Sequence, residues 1–169
     1  QKSILPLPFS DEINALLAVE QLDLLKENGF LWLRNEKGIF KINLLTYQID
    51  YLTDISKEFP PERVLRFLGS PPNSDWFLLS SNDGLWGFNA NTQEFLQLYK
   101  FPGVLTGEYF NIDNWAIDNN QILWLSFTSK GLIGLTLPDF KAKYFYHKAN
   151  SIIDNNIYSV MADEAGDIW

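Results

Sequence analysis

Cysteine is absent from this chain of 169 residues, and histidine and methionine occur once each, as His147 and Met161. Without thiols there is no disulfide framework, no thiolate nucleophile and no cysteine-ligated zinc. The same absence fits either side of a membrane, so the redox compartment stays open. One histidine excludes a His-rich metal site. Basic residues are also scarce: 13 Lys and Arg stand against 21 Asp and Glu, a formal charge of -8, which sets the chain against phosphate backbones and anionic surfaces. Nucleic acid is not an expected partner. No uninterrupted apolar run approaches the roughly 20 residues of a spanning helix, so no membrane segment is expected. Glycine-rich phosphate loops, metal-ligand spacings and nucleophile elbows are missing as well, and neither cofactor, metal nor enzymatic activity is expected.

What is abundant is apolar and aromatic surface. Hydrophobic residues make up 46% and aromatics 15% against 20% charged, the composition of a folded chain. The length is that of one domain, at roughly 100 to 200 residues each.

Self-similarity organises the sequence. Trp32, Trp76, Trp124 and Trp169 are separated by 44, 48 and 45 residues. Behind the first three come Gly38-Ile39-Phe40-Lys41-Ile42-Asn43, Gly84-Leu85-Trp86-Gly87-Phe88-Asn89 and Gly131-Leu132-Ile133-Gly134-Leu135-Thr136. All three place apolar residues at matching positions after the glycine and end on a polar one. The pattern predicts a strand entered from a tight hairpin, with the glycines at positive φ in at least two cases. The tips fall at residues 34–37, 80–83 and 128–130, which are turn-prone. Further strands are predicted at 47–52, 94–99 and 141–146, and upstream of each tryptophan at 22–25, 64–68, 112–117 and 157–161. Residues 11–25 carry a helical spacing, yet they must also deliver the chain into the first tryptophan strand. Pro60-Pro61, Pro71-Pro72 and the Asn/Asp clusters at 118–120 and 154–156 read as turns.

Four short strands about every 45 residues are the signature of a β-propeller, in which each blade covers its neighbour. The expected organisation is a lead-in at 1–21 and an all-β propeller over 22–169, with units at about 22–63, 64–110 and 111–150 and a truncated unit at 151–169. Three units and the opening of a fourth fall short of the four to eight blades of a closed ring. The expectation is therefore the front part of a larger ring, completed by the remainder of the propeller or by another copy of the chain. Trp32, Trp76 and Trp124 are expected to be largely buried in equivalent blade positions.

The stretch from Asn155-Asn156-Ile157-Tyr158 through Asp163 to Gly166-Asp167-Ile168-Trp169 resembles the repeat of two-component regulator propellers. Its pattern runs Asn, spaced apolar residues, an acid, then Gly-x-apolar-Trp. Residues 26–32, ending in Asn28-Gly29-Phe30-Leu31-Trp32, and the Gly-Ile and Gly-Leu pairs at 38, 84 and 131 are similar to other parts of that repeat. Trp32 and Trp76 are followed by Leu33-Arg34-Asn35 and Phe77-Leu78-Leu79 where the family has a small residue, glycine and threonine. Ser70-Pro71-Pro72-Asn73 replaces an acidic turn. The resemblance implies an extracytoplasmic, periplasmic sensor region of a bacterial membrane receptor, binding a small molecule or oligosaccharide and signalling by conformational or oligomeric change. The start at Gln1 is compatible with removal of a signal peptide, and equally with a start chosen for expression.

Recognition on such a scaffold belongs to its loops, which makes the hairpin-tip residues Arg34, Asn82, Asp83 and Lys130 the candidate ligand contacts. Trp86 and Trp115 lie off the period and are candidates for stacking on a ligand, with blade-interface packing as the alternative. A propeller carbohydrate-active enzyme would need two carboxylates about 5 to 9.5 Å apart. Asp83, Asp113, Asp118 and Asp163 could supply them, but all four sit in turn contexts where aspartate caps backbone amides. His147 has no serine motif around it. A plain protein-interaction propeller is the third reading.

Overall fold

The computed structural model describes residues 10–19, 22–55, 59, 65–72, 74–101, 112–147, 149 and 154–169. It contains three four-stranded sheets. Blade 1 comprises β1 (Asp23–Glu27), β2 (Phe30–Asn35), β3 (Gly38–Asn43) and β4 (Ile49–Thr53). Blade 2 comprises β5 (Arg66–Gly69), β6 (Trp76–Ser81), β7 (Gly84–Asn89) and β8 (Glu94–Lys100). Blade 3 comprises β9 (Ile112–Ile117), β10 (Ile122–Phe127), β11 (Gly131–Thr136) and β12 (Ala142–Tyr146). Every sheet is an antiparallel meander in chain order, the blade unit of a β-propeller. The chain divides into two compact units, Gln1–Glu62 with blade 1 and Arg63–Trp169 with blades 2 and 3.

The third strands start and stop where the glycine repeat places them. At their far ends the polar residue of each repeat builds the turn. Asn43 Oδ1 accepts from the amides of Leu45 and Thr46, and Asn89 Oδ1 accepts from those of Asn91 and Thr92. In blade 3 the roles are exchanged: Thr136 leads the turn and donates its hydroxyl to Asp139. Each turn closes on a residue at positive φ, Tyr47 (58°), Gln93 (62°) and Phe140 (50°). This is why β4 begins at Ile49 and not at Tyr47: a side-chain-capped turn takes the residues before it.

At the opposite end, Gly131 adopts φ 92° and Gly38 φ 155°, while Gly84 stays outside the left-handed region. The requirement common to all three is space. A Cβ on Gly38, Gly84 or Gly131 would run into the carbonyl oxygen of Thr53, Tyr99 or Tyr146, at the end of the adjacent outer strand. Between the third and fourth strands the register then slips once in every blade, at Ile39/Phe40, Leu85/Trp86 and Gly134/Leu135.

Strand register corrects the tryptophan repeat. Asn35 pairs with Gly38 and Ser81 with Gly84, so Trp32 corresponds to Leu78, and Trp76 sits two residues early. Trp32 and Trp124 are 5% and 6% exposed, as expected of blade cores, but Trp76 is half-buried. The displaced ring still reaches a glycine, because a Cβ on Gly87 would meet it at 2.8 Å, just as one on Gly134 would meet Trp124 at 3.0 Å.

In the first unit, helix α1 (Asp11–Leu17) is capped by the Ser10 hydroxyl, which accepts from the Ile13 amide at 3.3 Å, with Asp11 and Glu12 favourably placed in its first turn. Ile13 and Leu16 bury against Leu33, Phe40 and Ile42 of blade 1. The helical spacing thus accounts for the front of 11–25, and Asp23 to Leu25 belong to β1. In the second unit one apolar core joins blade 2, through Leu78, Leu85 and Phe101, to blade 3, through Leu123, Leu125, Phe127 and Leu135. Full burial of each such side chain contributes about 1.5 to 3 kcal/mol. Phe101 and Phe127 meet edge to face at 5.3 Å.

Residues 157–161, expected as a strand, form none. A strand needs a continuous ladder, and here the backbone bonds are scattered: the Ile157 amide donates to the Phe127 carbonyl at 3.3 Å, and Met161 and Trp169 exchange bonds of 2.9 Å beside the Ala162–Ile168 bridge. Val160 nevertheless packs on Ile122 and Trp124 of blade 3. Pro71-Pro72 falls in the β5–β6 connection as expected, and Pro60-Pro61 lies outside the described residues.

Candidate functional site

The hairpin tips are built for structure. Arg34, expected at a tip, lies within β2 and is 5% exposed, because the β2–β3 ladder runs on to Asn35–Gly38 and leaves a two-residue turn at 36–37. Asn82 and Asp83 do form the β6–β7 tip, where Asp83 Oδ1 accepts from the Ser81 hydroxyl and from the Trp86 indole N–H at 3.2 Å. Lys130 is half-buried in the β10–β11 tip. Trp115 donates its indole N–H to the Leu68 carbonyl at 2.7 Å and closes over Gly69, so it ties blade 3 to blade 2. Of the six candidates, Asp83 and Trp86 are brought together by this bond, within one hairpin.

The acids serve the same end. Asp113 accepts from the amide and hydroxyl of Thr128. Asp118, 6% exposed, accepts the amides of Asn120 (2.8 Å) and Ile122 (2.9 Å) on Oδ1 and the Trp124 indole N–H (3.0 Å) on Oδ2. Asp163 repeats this arrangement with Ala165, Asp167 and Trp169. The indole and these amides lower its pKa. Aspartate six residues before tryptophan is thus a clamp that closes the turn ahead of the second strand. Blades 1 and 2 lack it: Lys26 and Ser70 stand six residues before Trp32 and Trp76. His147 Nδ1 accepts from the Ala149 amide at 3.2 Å. Among the described residues no group of three His, Cys, Asp or Glu could hold a metal ion.

A cleft of about 620 Å³ opens at the other end of the blades, within the second unit. One wall is blade 2: Trp76 at the start of β6, residues 96–98 of β8 and the prolines of the β5–β6 connection. The facing wall is blade 3: Ile117, Gln121 and the β11–β12 turn from Leu137 to Phe140. The Leu137 amide donates to the Gln121 carbonyl at 2.9 Å, so two turns of blade 3 form one surface. Its size is within the roughly 300 to 1,000 Å³ of small-molecule sites. The Ser74 hydroxyl accepts from the Trp76 amide at 3.1 Å and fixes the start of that wall. The side-chain amides of Gln97 and Gln121 have no hydrogen-bond partner among the described residues. On the turn, the Thr136 hydroxyl and then Lys141 hold the Asp139 carboxyl down at about 2, and the Lys141 ammonium lies 3.0 Å from Oδ2.

Sequence reasoning missed this cleft, although a signal was present. Part of its walls departs from the repeat: Pro71 and Pro72, the displaced Trp76, and Pro138-Asp139 in a turn whose counterparts are 43–48 and 89–94. The rest, including residues 96–98 and Ile117, belongs to strands that every blade repeats.

No helix among the described residues is long and apolar enough to cross a membrane. No family model matches the chain, and no curated protein matches it. Solved structures do. The extracellular domain of a proposed hybrid two-component system from Bacteroides thetaiotaomicron is 18% identical at TM-score 0.59, over 87% of this chain and 21% of that one. A Bacteroides thetaiotaomicron protein of unknown function is 12% identical at TM-score 0.54, over 87% and 40%. PorZ, a surface component of the type-IX secretion system of Porphyromonas gingivalis, is 14% identical at TM-score 0.53, over 83% and 23%. The chain thus spans between about a fifth and two fifths of these structures. At such identities the likeness is one of fold, and the fold of this chain is that of β-propeller blades.

Proposed function

We propose that this chain is part of an extracytoplasmic ligand-sensing propeller of the two-component type, on the periplasmic side of a bacterial membrane, and that it binds without turning over its ligand. The ligand is a small molecule or oligosaccharide. The observation that carries the reading is the cleft itself. Its two walls belong to different blades, so an occupant touches β6 and β8 on one side and the β11–β12 turn on the other. A ligand that prefers one spacing of those walls shifts the population of blade arrangements, which is the elementary event of a sensor. The repeat resemblance and the fold likeness to a receptor's extracellular domain support the same class. The experiment is a titration with small molecules and oligosaccharides, read by tryptophan fluorescence and by product analysis of the same samples. Saturable binding that Trp76→Ala weakens, without product, is the expected outcome. Product formation, or binding indifferent to Trp76, refutes it.

A further inference from the structure

We propose that the cleft between blades 2 and 3 takes an amphipathic organic cation, a small molecule with an apolar or aromatic body and one amine or quaternary ammonium head, paired with the Asp139 carboxylate. This rests on the cleft being the ligand site.

The wall chemistry selects the class. Among the described residues, Asp139 is the one ionisable side chain on the lining, and no lysine or arginine faces it from the blade 2 wall. The other polar groups are neutral: the Ser74 hydroxyl and the amides of Gln97 and Gln121. The rest is apolar, and Trp76 and Phe140 contribute aromatic rings, whose faces attract cations. The cation beside the cleft, the Lys141 ammonium, is already paired with Asp139, and an anionic ligand would approach a chain of formal charge -8. That same field concentrates cations near the surface.

The carboxylate is prepared for a cation and holds one that can leave. The Thr136 hydroxyl and the Lys141 amide both address Oδ1, so the turn fixes the orientation of the group. Oδ2 carries the Lys141 ammonium, whose side chain is 80% exposed. Exposed ion pairs of this kind are worth little, so a ligand with the same charge and an apolar body to bury can displace it. With its pKa held at about 2, the carboxyl is ionised throughout the physiological range.

The test is a chemical-shift titration of the isotope-labelled chain with benzyltrimethylammonium, phenethylamine, 2-phenylethanol, phenylacetate and maltose. Both cations should move the Trp76 indole and the Asp139–Phe140 amides, and phenylacetate should not. Asp139→Asn, which keeps the Oδ1 acceptor, should weaken the cations about tenfold, the worth of a charge-assisted contact. Lys141→Ala removes the resident competitor and should tighten them about twofold, since an exposed pair is weak. A merely structural Lys141–Asp139 pair would give the opposite sign or no change. Equal binding of 2-phenylethanol, or indifference to both substitutions, overturns the cation assignment. If maltose alone titrates the cleft, the assignment falls and the sensor reading stands; if no probe moves the cleft resonances, both fall.

Discussion

Replacing Asp118 by alanine tests whether the clamp ahead of Trp124 holds blade 3 together. Its three acceptor contacts, to the amides of Asn120 and Ile122 and the indole N–H of Trp124, would be lost at once. The Ile122 and Trp124 bonds are buried, and each orphaned buried donor costs about 1 to 3 kcal/mol. With the half-buried Asn120 amide added, Asp118→Ala should destabilise by about 3 to 5 kcal/mol, and at about 2 to 4 °C per kcal/mol the melting temperature should fall by about 6 to 20 °C. Asp118→Asn separates the parts. It keeps an oxygen for the two backbone amides but turns an N–H towards the indole N–H, and about 1 to 3 kcal/mol is expected. In a Trp124→Phe background that donor conflict is gone, so the same substitution should cost less, with a coupling of about 0.5 kcal/mol or more in a urea-denaturation double-mutant cycle. Asp163→Ala, in the same motif but exposed, should lower the melting temperature far less. A loss under about 1 kcal/mol for Asp118→Ala, or strict additivity in the cycle, would refute the clamp as a stabilising device.

The tryptophans should rank by burial: Trp32→Ala and Trp124→Ala are each expected to cost about 3 to 5 kcal/mol, and Trp76→Ala clearly less, as measured by denaturant midpoints. Gly84→Ala should cost about 1 to 3 kcal/mol through collision with the Tyr99 carbonyl. Gly29→Ala, at φ 80° with open space around it, should cost only the strain of about 1 to 2 kcal/mol; the reverse order would mean that conformation, and not space, selects glycine in the hairpins. The Asp139 carboxyl has its pKa lowered from 3.8 to about 2, so its support of the β11–β12 turn is complete above pH 3.8 and fades as the pH falls towards 2. Amide protection at Phe140 and Lys141, relative to the intrinsic exchange rate at each pH, should fall over that window in the native chain and stay flat in Asp139→Asn.

The strands of the blades were legible because each unit repeats its own grammar. The glycine-led run located β3, β7 and β11 to the residue, since a position that admits no Cβ admits one residue type. Tryptophan was a poorer guide. In blade 2 the ring is supplied from two positions upstream and still covers a glycine of the third strand, which spacing alone cannot reveal because the shift keeps the side chain on the same face. Residues 157–161 have strand composition, but composition does not provide a partner. Arg34 was misplaced for a related reason: polar character suggested a tip, whereas the ladder continued one residue beyond it. The cleft was illegible because it depends on two blades meeting, through residues between about 20 and 70 apart in sequence that no single repeat unit brings together.

The register slip between third and fourth strands has a consequence for the fate of these blades in a crowded solution. β4, β8 and β12 each stand at the margin of a sheet with one side lacking a sheet partner among the described residues, the situation that invites a stranger's strand to join. β8 is the most exposed to that hazard, because Phe95-Leu96-Gln97-Leu98-Tyr99 carries no charge and no proline. The slip inserts an extra residue in each outer strand, breaks the even spacing of its outward amides and carbonyls, and increases its twist. A flat incoming strand finds no matching row of bonds there. The blades thus carry their own defence against sheet-to-sheet aggregation, written into the backbone and independent of the side chains that later sequence change might replace.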